Sequence, residues 1–321
     1  MNGALVISMD FELLWGVFDK VNWIEKKEYF LNTRKVIPQI LQLFEKYEIS
    51  CTWATVGMLF NENWEEWSQN IPEVLPEYEN KKLSAYSYGA SIKSKETEEL
   101  CFAPDLIKQI KETLGQEIGT HTYSHFYCLE PGQTLESFRA DLVRSKEMAN
   151  KMDINLKSLV FPRNQYNKGY LEVCKETGIQ TVRTNPEVWY WKNTQKDSLQ
   201  QKIFRTGDAY LGRNNKSYKD IPHLIPGLWG QKASRLLRPN SSKRFLDKKR
   251  LQRIQSEMNK AAKNREIYHL WWHPHNFGGN PEKNLQDLEM ILGHYKTCKE
   301  KYAFESLNMY TLNRRELRKY E

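Results

Sequence analysis

The chain has 321 residues, 27% of them charged and 12% aromatic, with a formal net charge of +8. That length suits one barrel-sized domain or two smaller ones, and the composition is that of an ordinary globular protein, not a disordered one. No apolar run nears the ~20 residues of a membrane-spanning helix; the N-terminus has no basic leader and meets an acid at Asp10, so a cytoplasmic protein is expected.

The elements alternate along the chain. Leu5–Met9 reads as a buried strand, and 25–47 as a helix with an apolar stripe from Ile37 to Phe44, in which Pro38 predicts a kink. A second strand covers 50–56, a short helix 61–70, and a polar excursion 72–94. A helix over 104–114 stops at Gly115, and a strand over 117–120 runs into His121-Thr122-Tyr123-Ser124-His125. A helix over 135–152 precedes a strand over 156–161, which leads into Pro162-Arg163-Asn164-Gln165. A helix over 169–176 and a strand over 179–183 follow. The stretch 185–240 reads as an irregular insertion. A basic helix over 247–264, a strand over 266–272 ending on His273, a helix over 282–301 and a last strand over 304–310 complete the chain. Strands alternating with helices predict a mainly parallel sheet, and about seven such units suggest one α/β barrel spanning 1–321, with catalytic groups at the carboxyl ends of the strands.

Four strand ends carry chemistry. His121 and His125 can close on one ion from a single turn, and a third, oxygen ligand would leave a coordination position open. The zinc-protease pattern is excluded, because Thr122 stands where its glutamate is needed. In Ser8-Met9-Asp10-Phe11-Glu12 the two acids point to one side, ~6–7 Å apart along an extended chain. Arg163, directly after a buried strand and a proline, is a costly place for an unpaired charge. His273 and His275 flank a proline at the end of an apolar strand. The five cysteines are scattered without a CxxC, which argues against a thiolate site.

Together these motifs resemble the polysaccharide deacetylases of the NodB homology type (carbohydrate esterase family 4), over residues of about 4 to 310. Asp10-Phe11-Glu12 is similar to the family's first motif, though the usual adjacent Asp-Asp is split. His121–His125 fits the second motif fully, Phe161–Tyr166 resembles the third, and Leu270–Pro274 the fifth. No clear counterpart of the fourth motif is evident; Asp208 or the pair Trp189 and Trp191 are candidates.

The resemblance implies a distorted seven-stranded (β/α) barrel that removes N-acetyl or other N-acyl groups from a sugar. It also implies one divalent ion, zinc with cobalt, nickel or manganese as alternatives. His121, His125 and a carboxylate, Glu12 before Asp10, would hold the ion. Asp10 would be the general base, kept ionised if Arg163 pairs with it. His273 would be the general acid, with His275 as alternate. Trp15, Asn164, His275 and Trp189 are expected to touch the sugar, and Trp191 and Trp229 are further aromatic candidates.

The run from Arg235 to Arg265 carries eleven cations against Asp247 and Glu257. It reads either as a solvated helix face or as a contact for an anionic partner, including peripheral contact with a membrane surface. Charge and the expected location favour a nucleotide- or lipid-linked precursor of a surface polysaccharide as substrate, and no nucleic acid is expected. The rival readings are a glycoside hydrolase on a related barrel and a non-catalytic binding protein for an anionic glycan or nucleic acid.

Overall fold

The first strand sets the pattern of the molecule. Along β1 (Ala4–Phe11) the outward residues Leu5, Ile7, Met9 and Phe11 join the large apolar core, while Val6 belongs to a second, smaller core. Ser8 and Asp10 share the phase of Val6, because strand side chains alternate between the two faces. The computed structural model describes residues 2–192, 198–208, 210 and 216–318. Among these, nine further strands follow: β2 (Cys51–Thr55), β3 (Gln116–Thr120), β4 (Ser158–Val160), β5 (Thr181–Thr184), β6 (His223–Ile225), β7 (Leu228–Lys232), β8 (Arg235–Leu236), β9 (Ile267–Trp272) and β10 (Glu305–Leu307).

All ten lie in one sheet, in the order β6-β7-β5-β4-β3-β2-β1-β9-β8, with β10 paired to the start of β1. Every pairing is parallel except β6 with β7. The sheet curls into a distorted barrel because β7 and β8 are one stretch of chain that changes partner. Ala233 N donates to Thr184 O on the β5 side and Ser234 N donates to His269 O in β9, each at 2.8 Å. Residues 185–240, expected as an irregular insertion, therefore supply the strands that draw the two ends of the sheet together, as well as the helix Leu199–Asp208. Their short, mixed-polarity strands lack the long apolar runs that mark β1 and β9.

Other elements follow the sequence pattern with small shifts. The helix Trp23–Tyr47 is capped by the Asn22 side chain and continues through Pro38. The excursion over 72–94 contains a helix, Ala85–Ile92. The last strand is only Glu305–Leu307, and Asn308 caps a further helix, Met309–Leu317. That helix sends Met309 and Leu312 into the small core formed with Val6, Ala54, Val160 and Ile267. It closes the end of the barrel opposite the strand carboxyl termini. Among the described residues no helix is long and apolar enough to cross a membrane.

Trp15 is a core residue and does not touch the site pocket. It is fully buried, its Nε1 donates to Cys101 O at 2.7 Å, and its ring stacks on Trp67 with Trp64 edge-on. The turn Leu13–Gly16 is wholly buried, so an aromatic there faces the helices and not the barrel mouth. Trp15→Ala is expected to destabilise the fold by about 3–5 kcal/mol, the usual cost of truncating a buried indole, as read by the midpoint of denaturant unfolding.

Candidate active site

Asp10 ends the inward-facing series of β1, and Glu12 lies one residue beyond the strand, turned into the same space. Both are almost fully buried, 3% and 2% exposed. They line a pocket of about 400 Å³ at the carboxyl ends of the strands, with His121, His125, Arg163, Asn164, Trp271, His273 and His275 among its walls.

Glu12, His121 and His125 form a triangle. Glu12 Oε2 lies 3.3 Å from His121 Nε2 and 3.2 Å from His125 Nε2, and it is a buried oxygen with no hydrogen-bond partner. His121 Nδ1 faces Val160 O at 2.8 Å. A carbonyl can only accept, so Nδ1 carries the proton and the Nε2 lone pair is aimed at the cluster. His125 Nδ1 meets the Tyr127 hydroxyl at 3.2 Å, and burial pushes the His125 imidazole down to about 4, which keeps it neutral and able to ligate. Two imidazoles and one carboxylate with an orphaned oxygen fit a zinc-like divalent ion.

The loop between the histidines is not helical. Thr122 and His125 both have left-handed backbones, φ 64° and 56°. Asp141, from the helix Leu135–Asn150, holds this loop by accepting from Tyr123 N, Ser124 N and Ser124 Oγ. Gly16 guards the carboxylate: a Cβ there would lie 1.9 Å from Glu12 Cδ and Oε1.

Asp10 is held differently. Arg183 Nη1 donates to Oδ1 at 2.6 Å and Nη2 to Oδ2 at 2.7 Å, a bidentate pair between buried groups. Burial pushes the Asp10 carboxyl up, but the Arg183 guanidinium leads the opposing charges that hold it below the usual carboxylate range. Arg183 also donates to Ser8 Oγ and lies over the Trp271 ring at 4.2 Å.

The expected pairing of Arg163 with Asp10 does not occur. Arg163 and Asn164 follow β4 on a turn with left-handed φ of 53° and 52°. This sends the guanidinium to Asp19 and to Glu130 (3.4 Å), over the Tyr127 ring at 4.0 Å. Arg163 thus braces the tyrosine that touches His125, and Asn164 stays on the pocket wall. Arg183 went unnoticed in the sequence. Its signal was a charge in phase with Thr181 on a wholly buried strand.

His273 stands at the open side of the pocket, 26% exposed, with Nε2 3.6 Å from Asp10 Oδ2 and 3.7 Å from Glu12 Oε1. His275 is buried and stacked on His273, rings 5.0 Å apart, with Nδ1 3.6 Å from Glu12 Oε1. Burial pushes its imidazole down to about 4.

Trp189 is 53% exposed and packs edge-on against Tyr190 and Phe204, away from the residues lining the pocket. Trp229 is buried in the small core. Trp191 meets Trp271 edge-on behind the pocket. Asp208 lies there too, paired with Lys216, Arg235 and Arg253. It does not touch the catalytic histidine candidates. Trp271, on the apolar strand that ends on His273, is 7% exposed and lines the pocket.

The solved structure assigned as a polysaccharide deacetylase from Mycobacterium smegmatis is similar over all of this chain and 92% of its own, with TM-score 0.61 and 13% identity. One so assigned from Pseudomonas aeruginosa PAO1 covers 99% of this chain and 91% of its own, with TM-score 0.59 and 9% identity. A GH57-type branching enzyme from Pyrococcus horikoshii covers 97% and 70%, with TM-score 0.52 and 11% identity. At these identities the likeness speaks for the fold alone. No curated protein matches the sequence. The family model "Polysaccharide deacetylase" matches residues 17–182, more than half of the chain, and with the curled parallel sheet and the motif-two histidines in place, the chain belongs to the polysaccharide deacetylase family.

Proposed function

We propose that the protein is a metal-dependent hydrolase that removes an N-acyl group, acetyl first, from a sugar. The observation that carries this reading is the triangle of Glu12, His121 and His125 beside an Arg183-clamped Asp10 in one open pocket. Glu12, His121 and His125 would hold the ion. When bound, it supplies a Lewis acid for the acyl carbonyl and lowers the pKa of the water it carries.

The chain's own residues do the rest. Asp10, fixed by two hydrogen bonds and kept ionised, takes the proton from the attacking water. Arg183 sets its rotamer and its charge. His273, the more exposed of the two pocket histidines, gives a proton to the leaving sugar nitrogen, and His275 stacks behind it to hold its plane. Trp271 offers an aromatic wall for the sugar ring.

A glycoside hydrolase needs two carboxylates flanking the bond, ~5–9 Å apart. Here both acids come from one strand end, one tied to Arg183 and the other facing the imidazoles that follow β3, which favours the acyl hydrolase. The proposed substrate is an intracellular, nucleotide- or lipid-linked precursor of a surface polysaccharide. Incubating metal-loaded protein with N-acetylated sugars, free and linked, should release acetate. Reducing ends without acetate would point to the glycosidase instead.

Asp10→Asn is expected to retain the metal and lower turnover by roughly 10²–10⁴; an unchanged kcat would remove Asp10 from the reaction. His121→Ala should lose the ion by elemental analysis, and full occupancy would refute the ligand set. Gly16→Ala should leave the fold intact by circular dichroism but displace the Glu12 carboxyl. Metal affinity, measured by competition with a chelator, should then fall by about 10–100-fold, the scale of lost ligand positioning.

A further inference from the structure

Three of the six arginines in the chain's basic segment are matched to acids inside the protein. Arg235 forms a bidentate pair with Glu257, with both contacts at 2.6 Å. Arg250 pairs with Asp287 and Asp247, and Arg253 with Glu257 and Asp208. Arg238 differs. It lies two residues past β8, at the barrel mouth, and is half-buried. Its guanidinium forms no hydrogen bond or ion pair among the described residues. A half-buried guanidinium without a protein acceptor has lost part of its hydration and still reaches solvent, so its donors are open to a ligand.

Among the described residues, the surroundings of Arg238 supply no carboxylate that is not already engaged. It lines the pocket of the metal-ligand triangle and also a smaller cavity behind Trp271, where Arg205 forms another wall. The one acid lining that cavity is Asp208, already engaged by Lys216, Arg235 and Arg253. In the main pocket Asp10 is taken by Arg183 and Glu12 faces the imidazoles. Arg163 is answered by Asp19 and Glu130. Burial pulls the Arg238 guanidinium below its usual range; Tyr210 and Asp208 oppose this, and the Arg205 charge adds to it. A planar fork facing open space suits an anionic oxygen group, which it can take with two parallel N–H donors.

We propose that Arg238, backed by Arg205 across Trp271, forms an anion subsite that selects saccharides carrying a phosphate or carboxylate group beside the acylated ring. The inference rests on the deacylase reading for the identity of the ring, but the subsite can be tested without hydrolysis.

The test is calorimetric titration of the metal-loaded full chain with glucose, glucose 1-phosphate and glucuronic acid, none of which carries an acyl group. At least one anionic sugar should bind about tenfold or more tighter than glucose, the worth of a hydrogen-bonded charge, and the advantage should shrink as salt rises. Preference for the phosphate arm identifies a phosphorylated saccharide, and preference for the carboxylate arm an acidic one. Arg238→Gln should abolish the preference, while Arg238→Lys, which keeps the charge without the fork, should retain part of it. Unfolding midpoints of both variants establish that they are folded. Equal binding of neutral and anionic sugars, or a preference that survives in folded Arg238→Gln, overturns the subsite. If the preference holds but no N-acylated sugar, anionic or neutral, yields acid, the deacylase reading fails and the subsite stands.

Discussion

Two carboxylates two residues apart are buried at the end of one strand, and each must be compensated. Taking an anion out of water costs several kcal/mol unless charge or hydrogen bonds replace the solvent. The protein compensates Asp10 and Glu12 in different ways. Asp10 has both oxygens filled by one guanidinium. Glu12 keeps an oxygen with no hydrogen-bond partner among imidazoles whose other nitrogens are engaged, His121 donating to Val160 O and His125 facing the Tyr127 hydroxyl. The same side-chain chemistry is thereby separated into a clamped carboxylate and an open one, the separation of environments by which the proposed base and the proposed ligand would take distinct roles.

The barrel makes that division geometric. Strand alternation sends Asp10 from β1, Arg183 from β5 and Trp271 from β9 toward a common interior. The histidine loop is outside regular structure and would have several conformations if left alone. Asp141 fastens its backbone from the neighbouring helix, and Arg163 fastens Tyr127 under His125. Gly16 leaves room for the Glu12 carboxyl to turn inward. Each proposed ligand is thus positioned by groups outside the cluster's centre, which is how donor atoms are kept convergent against mutual repulsion.

The parts of this arrangement that were legible in the sequence are those that are local. The histidine pair, the Asp-x-Glu at a strand end and the strand that ends on His273 all declare themselves within five or six residues. The alternating strands and helices likewise predict a parallel barrel. Arg183 could not be assigned that way. The need for a cation beside Asp10 is visible, but the sequence offers Arg163, after its proline, and the positive φ at that turn sends Arg163 elsewhere. Trp15 misleads for a related reason, since adjacency to motif one in sequence becomes burial against Trp64 and Trp67 from another element. The closing segment β7–β8 is too short and too polar to read as barrel wall, because its register is fixed by partners in β5 and β9.

The basic segment shows why a charge count is a poor map of a surface. The cations between Arg235 and Arg265 read as one patch, yet Arg235, Arg250 and Arg253 are joined to acids, three of which (Asp247, Glu257 and Asp287) lie on the helices Arg244–Asn264 and Pro281–Tyr302. Those arginines cement the helix to the barrel and to its neighbour. Lys243, Arg244, Lys248, Lys260, Lys263 and Arg265 are exposed, where isolated charges are solvated and screened within about 8–10 Å. A long-range field from this stretch is therefore weaker than its composition suggests. The charge proposed for recognition is the one that combines partial burial, no partner among the described residues and a place on the pocket wall, and within this segment those conditions meet at Arg238.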